Sequence, residues 1–141
     1  MTYKSACFLF FDPWTNMFFF GYEPHKKEWR TFGGKVEKQD NGLPIKTAVR
    51  EFNEESGSQF KLPFGTMSSF VFYVPDSKMV VYFVVCSREL VYNLSRLKPS
   101  QEKSSYAWLT GSDRNLPFFI RQACTIARDI AIDPNMIYSI L

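Results

Sequence analysis

The segment 44–57, P-I-K-T-A-V-R-E-F-N-E-E-S-G, constrains this chain more than any other. Pro44 suits the first position of a helix, where its missing N–H has no partner to lose. Gly57 suits the position just past the end, where a left-handed residue stops the helix. Between them Ile45, Ala48, Val49 and Phe52 recur at i, i+3, i+4 and i+7, one apolar stripe facing a core. At about 100° per residue, Glu51, Glu54 and Glu55 fall together on the neighbouring face.

Three carboxylates so placed work against the helix. Like charges at i, i+3 and i, i+4 repel by roughly 0.2–0.5 kcal/mol a pair in an isolated helix. The macrodipole also disfavours anions in a C-terminal half. A local rule broken without local gain points to function. A hard divalent cation is the plainest remedy. Magnesium takes oxygen ligands, keeps several waters and is completed by substrate phosphates. An isolated E-F-N-E-E would read as a solvated face; the adjacent Gly33-Gly34 pair, the Arg50-Glu51 step and the helix stop favour a site.

Strand-like runs surround the helix. Residues 5–11 and 17–22 read as a hairpin through Asp12-Pro13-Trp14-Thr15-Asn16, apolar enough for both faces to be covered. Residues 29–32 and 35–37 are expected as short strands around a Gly33-Gly34 turn, where glycine permits positive φ and close backbone approach. Residues 67–74 and 78–89 read as a long hairpin, 90–103 as irregular, and 106–109 as a last strand. A second helix is expected over 117–132, with Ile120, Ala123, Cys124, Ala127, Ile130 and Ala131 as its stripe. Asp133-Pro134 would stop it, and 135–141 would form a terminal turn. Strands, an acidic helix, strands and a closing helix give an α/β (α+β) sandwich, read as a single domain over 1–141.

Composition narrows the function. Apolar residues at 45% and fifteen Phe exclude disorder, and a net charge of +3 suits a polyanionic small substrate better than nucleic acid. Cys7, Cys86 and Cys124 lie in apolar runs and read as reduced core thiols of a cytoplasmic protein. One histidine, His25, makes no metal cluster. No targeting or membrane-spanning segment stands out.

The segment from Gly34 to Ser58 resembles the Nudix (MutT-like) family, whose box reads G-x5-E-x7-R-E-U-x-E-E-x-G-U, U being bulky and aliphatic. Gly34 supplies the first position, and Arg50, Glu51, Phe52, Glu54, Glu55 and Gly57 fill the second half in register. The middle departs from the box. Eight residues before Arg50 stands Gly42, Gly34 lies two residues too far upstream, and Ser58 takes the last U. The middle acid is therefore missing or displaced to Asp40. That glutamate is not usually the principal metal ligand in the family, so its loss is expected to adjust activity rather than abolish it.

The resemblance implies a mixed sheet between helices and hydrolysis of a diphosphate linkage with Mg2+ or Mn2+. It implies that Glu51 and Glu55 hold metal, with Glu54 sharing ligation or acting as base and the Gly34 carbonyl and Glu37 completing the shell. Arg50 would orient a neighbouring glutamate. Glu102, six residues before Trp108, matches the extra loop glutamate of many such enzymes. Arg30 and Lys35 are candidates for phosphate contact. Lys26, Lys27, Lys38 and Lys46 read as solvated. Phe32, with Trp29, Phe118 and Phe119, is a candidate wall for a base.

W-R-T-F-G-G-K-V with R-E-F-N-E-E-S-G resembles Nudix enzymes that clean oxidised purine nucleoside triphosphates, so a phosphorylated nucleotide is the expected partner. The loop with Asp40 also resembles coenzyme A-type members. Dinucleotide polyphosphates, ADP-ribose, capped RNA and diphosphoinositol phosphates stay open, as does a module that binds a nucleotide without cleaving it. RNA calls for a larger basic surface than this chain carries.

Overall fold

The computed structural model describes residues 2–132. The expected stop at Asp133-Pro134 and the turn over 135–141 lie outside the described residues. Apolar runs pair into one seven-stranded mixed sheet. Strand β1 (Ser5–Asp12) is its axis. Along one edge runs β6 (Met79–Val85), parallel, in register from Ser5↔Met79 to Phe11↔Val85. The other edge is shared by two antiparallel strands. The first, β4 (Phe32–Lys35), lies opposite Ser5 to Phe8; the second, β2 (Met17–Glu23), lies opposite Phe10 to Asp12. A hairpin adds β5 (Ser68–Val74) to β6, while β3 (Glu28–Arg30) and β7 (Ser105–Leu109) both pair with β2.

Three helices cover this sheet: α1 (Pro44–Glu55), α2 (Arg88–Ser95) and α3 (Phe118–Ile132). Alternation along β1 explains its unbroken apolar run. Cys7, Leu9 and Phe11 pack with Ile120, Ala123 and Ala127 of α3. Ala6, Phe8 and Phe10 pack with Ala48 and Phe52 of α1 and Leu90 and Leu94 of α2. Each large side chain buried this way contributes roughly 1.5–3 kcal/mol. The expected helix–sheet–helix sandwich is what forms. Among the described residues no helix is long and apolar enough to cross a membrane.

Several expectations are corrected. The strand expected over 78–89 ends at Val85, and 88–95, which spans its expected end and the start of the stretch 90–103 expected to be irregular, is helix α2. Ser87 caps it by accepting a hydrogen bond from the Leu90 N–H at 3.1 Å. Leu90 and Leu94, one turn apart, supply its buried stripe. Gly33-Gly34 is no turn but the middle of β4, and its glycines do not take positive φ. What glycine provides there is close approach: a Cβ on Gly33 would meet the Cys7 Cβ at 2.2 Å. Ile45 is exposed, so the buried stripe of α1 runs through Ala48, Phe52 and, unexpectedly for a carboxylate, Glu55. Ala131, at the end of α3, is also exposed.

Candidate active site

Both ends of α1 form as its sequence dictates. Pro44 is the first helical residue. At the far end the Ser58 N–H donates to the Asn53 carbonyl at 2.9 Å and the Gly57 N–H to the Glu54 carbonyl at 3.3 Å. With Gly57 at φ +66°, this is a Schellman stop. The last turn is tied to the loop before β7. Ser100 Oγ and the Tyr106 hydroxyl both donate to the Glu55 carbonyl, at 2.8 and 3.1 Å.

Arg50 is the hub of the acidic face. Its Nε and Nη2 donate to the two carboxylate oxygens of Asp40, each at 3.0 Å. Nη2 also donates to the Lys35 carbonyl at 3.0 Å, and Nη1 reaches Glu51 Oε1 at 2.9 Å and Glu54 Oε1 at 3.6 Å. Glu37 pairs with the same Nη1. Asp40 is nearly fully buried and also accepts from Thr47 Oγ1 at 2.7 Å and from the Glu37 N–H at 2.8 Å. The Arg50 fork, with these donors, holds the Asp40 carboxyl far below the usual carboxylate range. Asp40 thus clamps Arg50, with both its oxygens engaged. The arginine thus touches Glu51 and, besides Asp40, Glu37 and Glu54.

Glu51, Glu54 and Glu102 each offer an oxygen within 4.8 Å of the others. Their cleft has a volume of about 1140 Å³ and is also lined by Gly34, Lys35, Glu37 and Glu55. Burial pushes the Glu51 carboxyl up despite Arg50 beside it. Gly34 lies flat against that carboxylate: a Cβ there would stand 2.4 Å from its carbon. Glu55 is 2% exposed, its Oε1 has no hydrogen-bond partner among the described residues, and its carboxyl is pushed up to about 8, chiefly by burial. A buried carboxylate oxygen without a donor is short of positive charge. Converging carboxylates, that orphaned oxygen and a glycine cradle fit a hard divalent cation.

Lys103 escaped the sequence reading. Its side chain is fully buried, and its ammonium donates to Glu23 Oε1 at 2.9 Å and sits 3.1 Å from Glu55 Oε2. Burial pushes the Glu23 carboxyl up, but the charge and hydrogen bond of Lys103 outweigh it, and the net shift is downward. A lone lysine in Q-E-K-S-S-Y carries no local mark of burial; only Glu23 and Glu55, distant in sequence, explain it.

The remaining candidates divide. Arg30 and Lys35 line the cleft, as does Lys26, read as merely solvated. Phe32 does not: it is fully buried and stacks on Phe19 with ring centroids 5.6 Å apart, a core side chain that a substrate cannot touch. Trp29 packs against the core beside Tyr22, and Phe118 lies outside the cleft; of the four aromatic candidates Phe119, under the Arg30 guanidinium, lines it.

No sequence-family profile and no curated protein matches the chain. Solved structures do. A MutT protein from Methanosarcina mazei Go1 superposes with a TM-score of 0.58 at 17% identity, over 92% of this chain and 96% of its own. A NUDIX-family hydrolase from Clostridium perfringens gives 0.56 at 15% identity, over 92% and 99%. A bifunctional NMN adenylyltransferase/ADP ribose pyrophosphatase from Francisella tularensis, complexed with AMP and manganese, gives 0.62 at 16% identity over 92% of this chain and 42% of its own. The chain has the fold of the Nudix hydrolases, with the R-E-F-N-E-E-S-G segment on the helix that borders the cleft.

Proposed function

We propose that the chain is a Nudix hydrolase that cleaves a diphosphate linkage in a nucleoside diphosphate derivative, a (d)NTP or oxidised purine nucleotide being favoured, with Mg2+ or Mn2+. The observation that carries this is the convergence of Glu51, Glu54 and Glu102 beside the orphaned Oε1 of buried Glu55. A divalent ion held there neutralises phosphate oxygens and activates water. The manganese complex of the Francisella protein supports that choice of ion.

Each side chain then has a task. Glu51 and Glu55 hold the cation with the Gly34 carbonyl, and Glu37 contributes the oxygen that Arg50 leaves free. Glu54, exposed at the cleft, shares ligation or takes the proton of the attacking water. Arg50 is a positioning residue that fixes Glu51, Glu54 and Glu37 at once. Arg30 and Lys35 pair with phosphate oxygens, and Phe119 offers a face for a base. Glu102 completes the acid set from the loop before β7. The buried free thiols of Cys7, Cys86 and Cys124, each pushed up to about 12 by burial, suit a reducing, cytoplasmic compartment.

Hydrolysis of a panel of nucleoside diphosphate derivatives with Mg2+ or Mn2+ tests this reading, which expects turnover of one class. Glu102→Gln should slow that turnover at least tenfold, about 1.4 kcal/mol of barrier; an unchanged rate removes Glu102 from the mechanism. A second reading, a nucleotide-binding module without turnover, is favoured by one feature, the lysine ammonium on Glu55. It expects binding of the same nucleotides with no hydrolysis.

A further inference from the structure

Lys103 is out of place by the usual rules. A lysine is almost never fully buried unless paired, and here the surroundings are built to hold one. Gly21 of β2 lies against its stem: a Cβ there would stand 2.7 Å from Lys103 Cδ and 3.0 Å from Cγ. The Phe32 ring sits 5.7 Å from the ammonium. The main chain is fixed as well, since the Lys103 N–H donates to Ser100 Oγ at 3.1 Å while Ser100 itself holds the end of α1.

The acceptors are more telling. Three oxygens surround the ammonium: Glu23 Oε1 at 2.9 Å, Glu55 Oε2 at 3.1 Å and the Thr31 carbonyl at 3.5 Å. An ammonium has three protons, and each has one oxygen to meet. Two carboxylates and a backbone carbonyl are also the donor set that a hard divalent cation takes. Glu55 joins the two halves of the site, with Oε2 on Lys103 and Oε1 without a partner among the described residues.

We propose that the Lys103 ammonium is a fixed, built-in cation that fills what would otherwise be a further divalent-metal position between Glu23, Glu55 and the Thr31 carbonyl. This rests on the hydrolase reading only for the neighbouring metal at Glu51, Glu54 and Glu102. By occupying Oε2, Lys103 leaves Glu55 one oxygen for that metal and sets how many divalent ions the cleft holds. It supplies constant positive charge against Glu55 at any metal concentration.

Removal of the ammonium should therefore create a metal site. Lys103→Met keeps the apolar stem in its channel over Gly21 and deletes the charge. Manganese binding is counted by equilibrium dialysis and electron paramagnetic resonance for wild type, Lys103→Met, and the double variant Lys103→Met/Glu23→Gln. The expected result is one more Mn2+ per chain in Lys103→Met than in wild type, lost again in the double variant. Identical counts in wild type and Lys103→Met overturn the inference. The variant leaves buried Glu55 and part-buried Glu23 without their cation, so folding is followed by circular dichroism with and without Mn2+. A Lys103→Met chain that folds only with Mn2+ supports the inference, and one that fails to fold at any Mn2+ concentration contradicts it. Wild type that binds no Mn2+ sinks the hydrolase reading, whereas wild type that binds it beside a Lys103→Met chain that gains none sinks this inference alone.

Discussion

Glu55→Gln is expected to lower turnover by about 10²–10³-fold, the usual cost of deleting one preorganised group that stabilises developing charge. The substitution keeps shape and burial, so the helix and its Schellman stop should survive. What it removes is the negative charge beside the cleft. A carboxylate held by Lys103 on one oxygen and, among the described residues, left without a donor on the other is placed to receive a cation. A neutral amide at the same place cannot bind one comparably. The fold should lose some stability, because the fully buried Lys103 ammonium keeps Glu23 but loses its second carboxylate. Steady-state kinetics on the substrate class found in the panel, with thermal melting as the control for folding, checks both halves. Equal turnover by the two proteins removes Glu55 from the site.

Asp40→Ala should act on the other side of the ledger, through stability. Asp40 is 2% exposed and receives the Arg50 fork, the Thr47 hydroxyl and the Glu37 N–H. Truncation leaves the guanidinium half-buried without its main partner. Breaking a buried pair from one side costs about 3–5 kcal/mol, which at this chain length lowers Tm by roughly 10–17 °C. The pH dependence has a definite sign. Asp40 titrates lower in the folded chain than in the unfolded one. Its contribution is therefore complete above the ordinary carboxylate range and fades as pH falls below it. Melting curves of the two proteins should differ most near neutrality and converge in acid. A constant difference down to low pH would remove the Asp40 carboxylate as its source. Activity should fall too, since Arg50 would be free to leave Glu51.

What the sequence revealed, and what it hid, follows from how far each cause lies along the chain. Pro44 and Gly57 act within a turn of themselves, so the limits of α1 were readable. The three glutamates were readable because a helix of known phase fixes their direction. Glu102 came from the family resemblance, and it lies near Glu51 and Glu54. Gly33-Gly34 misled because adjacent glycines read locally as a turn. Their need arises from Cys7 on the neighbouring strand and from Glu51 on the helix. Asp40 was noticed as a possible stand-in, but its role depends on a fork reaching it from ten residues away. Phe32 looked like a ligand wall beside the cleft, while the pleat of β4 turns it into the core against Phe10, Phe19 and Phe52. Helix α2 was hidden by a strand-like run that led straight into it, with Ser87 as the overlooked cap. Lys103 was the least legible, because its burial is set by Glu23, 80 residues earlier, and by the end of α1.

A divalent cation held by the glutamates of α1 is what the proposed hydrolysis requires. Crystals grown with Mn2+ and a non-hydrolysable diphosphate nucleotide, measured at the manganese absorption edge, test this directly. The account predicts an anomalous peak ligated by Glu51 and Glu55, with Glu54 or Glu102 beside it and diphosphate oxygens completing the shell. A bound nucleotide with no anomalous peak at those carboxylates would contradict it.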